Sequence, residues 1–112
     1  PMLYWAVAEL DVDGGIQITG SHNPADYNGF KMLLPGGSVF GSAIKALGTR
    51  AAEGRWHEGQ GKVEDVDIME RYVARLVEDF RGGEFRIGWD AGNGAAGPAL
   101  EKLIKHLPGE HH

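Results

Sequence analysis

The sequence has 112 residues with 42% apolar side chains, which suits one small globular domain and argues against a disordered tail or a fibre. Its formal charge of −5 is spread over interleaved acids and bases, so no basic stripe exists to follow a nucleic-acid backbone. There is no cysteine, which removes disulfide frameworks and thiolate metal sites and agrees with a cytoplasmic setting, and no apolar run approaches the roughly 20 residues of a membrane span.

The chain is apolar from Pro1-Met2-Leu3-Tyr4-Trp5 onward, which reads as a cut inside an element, because natural termini are usually polar and frayed. Leu3, Ala6, Val7 and Leu10 recur at helical spacing, predicting a short helix over Met2 to Leu10. Asp11 to Gly15 breaks that period. Ile16 and Ile18 then alternate with Gln17 and Thr19 as a strand, and Phe30, Met32 and Leu34 alternate with Lys31 and Leu33 as a second strand over Gly29 to Leu34. The loop between them is too long for a tight hairpin, and loops of that length commonly present functional side chains.

Pro35-Gly36-Gly37 ends the second strand, and Ser42 to Glu53 reads as a helix with Ala43, Ile44, Leu47 and Ala51 on its apolar side. Gly54 to Gly61 shows no period. A stronger helix is predicted from about Val66 to Phe80, with Val66, Met69, Val73, Leu76, Val77 and Phe80 as its stripe and the i,i+4 pairs Asp67/Arg71 and Arg75/Asp79 on its solvated face. Arg81 to Glu84 reads as a boundary. Beyond it come a strand over Phe85 to Trp89, a glycine-rich turn over Asp90 to Gly97 and a helix over Pro98 to Leu107, too little to bury a core unaided. The end, Pro108-Gly109-Glu110-His111-His112, reads either as native chain or as a trimmed histidine tag.

Two glycine-rich segments invite function. Gly92-Asn93-Gly94-Ala95-Ala96-Gly97 is a formal G-x-G-x-x-G between a strand and a helix, the setting of a dinucleotide fingerprint. That fingerprint needs a second strand ending in an acid, and the chain is expected to stop before one; the competing reading is a tight strand-to-helix turn. The other segment places Ser21 just after a strand, in a loop closed by His22, Asn23 and Pro24. Its hydroxyl suits either a turn or cap residue or a nucleophile and phosphate carrier, with His22 and Lys31 nearby to move a proton or offset negative charge.

The run from Asp13 to Lys31, with Thr19-Gly20-Ser21-His22-Asn23-Pro24 and the following Tyr27-Asn28-Gly29-Phe30-Lys31, resembles the active-site segment of α-D-phosphohexomutases. Asp90 to Gly97 resembles the same family's turn at the start of its second domain, and the closing Pro-Gly-Glu-His-His is also similar to the family. The resemblance implies an α/β fold: part of a mixed-sheet phosphohexomutase domain 1 over residues 1–84, then the first strand, turn and helix of a second α/β domain over 85–112. It implies that Ser21 carries a phosphoryl group, assisted by His22 and Lys31, in a loop shaped by Thr19, Gly20, Asn23 and Pro24. Mannose or glucose 1- and 6-phosphates would interconvert through a 1,6-bisphosphate. The family's Mg²⁺ would bind an oxygen of the Ser21 phosphate, while its aspartate ligands, in a D-x-D-x-D-R motif, are absent from this sequence. The remaining domains of such an enzyme are implied partners, and the piece alone is expected to be inactive. A non-catalytic nucleotide-binding domain built on Gly92 to Gly97 is the alternative.

Overall fold

A computed structural model of the chain describes residues 1–20 and 22–112. The architecture is α/β, in two units, Pro1–Glu64 and Asp65–His112. In the first, helix α1 (Met2–Glu9) leads to strands β1 (Gly15–Thr19), β2 (Gly29–Leu34) and β3 (Gly37–Ser38), followed by helix α2 (Ser42–Ala52). The sheet is antiparallel in the order β1-β2-β3.

Register gives this sheet two chemically distinct faces. Ile16 pairs with Met32 and Ile18 with Phe30, so the apolar positions of both strands share one face. Gln17 pairs with Lys31 and Thr19 with Gly29 on the other. Leu3 and Val7 of α1 lie against Gly15 at the far end of that second face. The Tyr4 hydroxyl hydrogen-bonds the Ser38 hydroxyl at 3.1 Å, tying α1 to β3. The apolar face lines a groove of about 650 Å³ together with Ile44, Leu47 and Ala51 of α2.

The second unit contains α3 (Met69–Glu78), β4 (Phe85–Ile87), α4 (Gly97–Leu103), a 3₁₀ turn (Ile104–His106) and β5 (Gly109–His111). Helix α3 begins three residues later than its apolar stripe suggests, with Ile68 as its N-cap residue, and just ahead of it the Asp67 carboxylate accepts from the Met69 N–H at 2.9 Å in a local turn that competes with further helix. Arg75 and Asp79 pair at 2.6 Å as their spacing predicts, and that bond raises the Arg75 guanidinium above its ordinary value. Val73, 1% exposed, is the one fully buried side chain among the described residues. Helices α3 and α4 pack together and are joined by the Glu70–Lys102 ion pair, which raises the Lys102 ammonium above its ordinary value, chiefly through the hydrogen bond and then through the carboxylate charge.

Strands β4 and β5 run parallel, Phe85 opposite Gly109 and Ile87 opposite His111, with α4 as the crossover. The expectation that the chain stops before a second strand is therefore corrected: the Gly-Glu-His ending forms that strand. The His112 N–H donates to the Ile87 carbonyl at 2.9 Å and the Trp89 N–H to the His112 carbonyl at 2.7 Å, extending the ladder by backbone bonds that a sequence pattern does not display.

Candidate phosphoryl-transfer loop

The loop between β1 and β2 departs from the closed end of a five-pair ladder, so its two stems are fixed by backbone hydrogen bonding. Within it the Asn23 N–H donates to the Gly20 carbonyl at 2.9 Å and the Tyr27 N–H to the Pro24 carbonyl at 3.0 Å, two successive turns of the kind that Asn, Pro, Asp and Gly favour. Ser21 lies outside the described residues. Thr19 and Gly20 are half-buried at the loop's stem, while His22, Asn23 and Pro24 are exposed.

Lys31 sits two residues beyond the second stem, on the sheet face of Thr19 and Gln17 and opposite that of Phe30 and Met32, and it is exposed. Neither the His22 imidazole nor the Lys31 ammonium makes a hydrogen bond or ion pair among the described residues. Both are therefore available to an incoming anion. Among the described residues no group of three or more His, Asp or Glu side chains is placed to hold a metal ion, so these residues by themselves do not fit the expected Mg²⁺.

At the edge of the apolar groove the structure gathers groups that hydrophobic periodicity could not reveal. Arg50 donates from Nε to the Arg55 carbonyl at 2.8 Å, and its Nη2 lies 2.7 Å from His57 Nε2. A guanidinium only donates, so His57 Nε2 is the acceptor in that contact. Arg55 pairs with Glu53. This cluster ties the segment after α2 back onto the helix.

In the Gly92 to Gly97 turn, the Gly92 N–H donates to Asp90 Oδ1 at 2.7 Å and the Gly94 N–H to the Ala91 carbonyl at 3.1 Å. Gly92 takes a φ of 54°, where an L side chain is disfavoured. The acid in the following strand, Glu110, is paired with Arg86 at 2.8 Å, and β5 ends on His111. A dinucleotide fingerprint instead ends that strand on an acid that binds the ribose. Among the described residues no helix is long and apolar enough to cross a membrane.

Comparison with known proteins bears on the family and the fold. Residues 1–57 match the family model for phosphoglucomutase/phosphomannomutase, alpha/beta/alpha domain I. The chain is 41% identical to a phosphomannomutase/phosphoglucomutase of Pseudomonas putida over 108 residues, 96% of this chain and 23% of that protein. It is also 41% identical over 114 residues to a phosphoglucomutase of Neisseria meningitidis serogroup B, covering 96% of this chain and 24% of the relative. A solved structure of a phosphoglucomutase/phosphomannomutase family protein from Burkholderia thailandensis superimposes with a TM-score of 0.81 at 43% identity, covering 90% of this chain and 22% of that one. The chain thus spans under a quarter of the length of these relatives, and within that span it belongs to the phosphoglucomutase/phosphomannomutase family.

Proposed function

We propose that these residues form the phosphoserine-bearing part of a phosphohexomutase that interconverts hexose 1-phosphates and hexose 6-phosphates of mannose, glucose or both. The observation that carries the reading is the Thr19-Gly20-Ser21-His22-Asn23-Pro24 run at the end of β1, with Lys31 on the adjoining strand, in a chain of this family.

In this reading a phosphoryl group resides on Ser21 Oγ. A hydroxyl oxygen of the bound hexose phosphate attacks phosphorus, the new O–P bond forms as the Oγ–P bond breaks, the hydroxyl proton passes to the His22 imidazole, and the departing Ser21 Oγ takes up a proton from the Lys31 ammonium to become the free hydroxyl. Lys31 offsets charge on the transferring group, and loop N–H groups donate to its oxygens. The bisphosphorylated sugar reorients and returns its other phosphoryl group to Ser21, so the net reaction moves a phosphate between the 1 and 6 positions. Mg²⁺, when bound by the complete enzyme, would neutralise part of the phosphate charge, with an oxygen of the Ser21 phosphate as the ligand from this chain. Hexose phosphates and the remaining domains of the enzyme are the partners, and a domain boundary at Glu84–Phe85 belongs to the same proposal.

A chain extended to the full length of its relatives, incubated with glucose 1,6-bisphosphate and mapped by peptide mass spectrometry, is expected to carry phosphate on Ser21. Phosphate confined to Ser38 or Ser42 would overturn the assignment.

A further inference from the structure

At each end of the β1–β2 ladder a glycine leaves no room for a Cβ. A Cβ on Gly14, just before β1, would stand 2.6 Å from the Leu33 carbonyl oxygen, and a Cβ on Gly29 would stand 2.8 Å from the Thr19 carbonyl oxygen. Real Cβ atoms essentially never come within 3.0 Å of a neighbour. In both places the atom met is backbone held in a strand pair, which cannot swing aside as the tip of a long side chain can. Gly36, by contrast, faces open space.

The two ends differ in what lies beyond them. Gly14 is remote from the loop. Gly29 is the register partner of Thr19, the last pair before residues 20–28 leave the sheet, and it stands two residues before Lys31 on the same face. We propose that Gly29 is a positioning residue for phosphoryl transfer: by carrying no side chain it lets β2 close on the Thr19 carbonyl, which sets the spacing between the loop and Lys31. The inference rests on the phosphoserine reading above. A methyl group here must push the stems apart by at least 0.2 Å to clear 3.0 Å and by 0.6 Å to reach ordinary contact at 3.4 Å, and the middle of that range is close to the roughly 0.5 Å tolerance within which a catalytic constellation has to be held. Misplacement of about 1 Å costs on the order of 10²-fold in rate, so half of that corresponds to about tenfold. The substitution removes no polar group, so no hydrogen bond to a bound sugar is lost with it.

The test compares four variants of a full-length family chain carrying these residues: Gly29→Ala, Gly14→Ala, Gly36→Ala and Ser21→Ala, each measured for thermal unfolding, kcat and KM. Gly29→Ala is expected to lower kcat about tenfold with KM within about threefold. Gly14→Ala, with a clash of the same kind at the remote end, is expected to lower Tm at least as much while kcat of the folded enzyme stays within about threefold. Gly36→Ala is expected to change neither. If Ser21→Ala abolishes turnover and Gly29→Ala stays within threefold of wild type, or if Gly14→Ala lowers kcat equally, the positioning role is overturned while the phosphoserine reading stands. Failure of Gly29→Ala to fold makes Gly29 a fold residue and also overturns the proposal. Turnover retained by Ser21→Ala would instead overturn the phosphoserine reading, and this inference with it.

Discussion

Val73 and Val63 offer the same substitution in opposite environments, 1% and 97% exposed. Val73→Ala removes two buried methyl groups, about 1.6 kcal/mol of transfer free energy at roughly 0.8 kcal/mol per carbon. A cavity that closes only partly adds roughly 1 kcal/mol. Alanine is the better helix former by about 0.5 kcal/mol, which offsets part of the loss because Val73 lies inside α3. The net is about 2 kcal/mol, which corresponds to about 30-fold faster hydrogen exchange where α3 amides open through unfolding of the helix. Val63→Ala has no burial to lose, and α3 exchange is expected to stay within about twofold of wild type. Exchange mass spectrometry on peptides spanning Met69–Glu78 reads both. If Val73→Ala leaves α3 exchange within twofold, burial of this side chain is not what holds the helix, and the packing argument for the second unit fails.

Lys31→Ala in the full-length enzyme is expected to lower turnover by about 10²-fold, the range for losing a charge-stabilising or proton-transferring group, and a variant within twofold of wild type would return Lys31 to ordinary solvated surface. The Lys102 ammonium, raised by Glu70, contributes stability that is complete below its unfolded value of about 10.4 and is lost as pH climbs through the folded value. An NMR titration of the Lys102 side chain should therefore move to lower pH in Glu70→Gln, and superimposable curves would refute the pairing. The 112-residue chain alone is expected to show no mutase turnover with mannose or glucose 1-phosphate, even with Mg²⁺ and a bisphosphate, because transfer needs charge neutralisation and substrate positioning beyond one loop. It should also self-associate on sedimentation, because large apolar side chains such as Ile16, Ile18, Phe30, Phe40 and Trp56 are exposed in it. Robust turnover by the monomer would contradict the mechanism.

The sequence was most legible where a period of two met strong punctuation. The bounds of β2 coincide with expectation because Phe30, Met32 and Leu34 alternate between Asn28-Gly29 on one side and Pro35-Gly36 on the other. The same alternation put Lys31 on the face away from Phe30 and Met32. Helix α3 was overestimated because Val66 continues the apolar stripe, and hydrophobicity does not register that the Asp67 carboxylate binds the Met69 N–H in a turn ahead of the helix. Strand β3 has only two residues and no period to detect, while β5 has a glycine, an acid and a histidine, none a marked strand former; tertiary pairing with β4 makes it. The serine loop was legible as a motif, whereas the Arg50–His57 contact depends on how the segment after α2 folds back, which no local spacing encodes.

The β4-α4-β5 crossover has a consequence for synthesis on the ribosome. Its parallel pair joins residues 24 positions apart, Phe85 to Gly109 and Ile87 to His111, so β4 cannot pair with β5 until Gly109–His111 have left the exit tunnel. The β1–β2 ladder closes over a nine-residue loop and has both strands available some 75 residues earlier in translation. The serine loop is thus framed while β4 still waits for β5, and during that interval a slow ribosome leaves this strand more open to pairing with the wrong one.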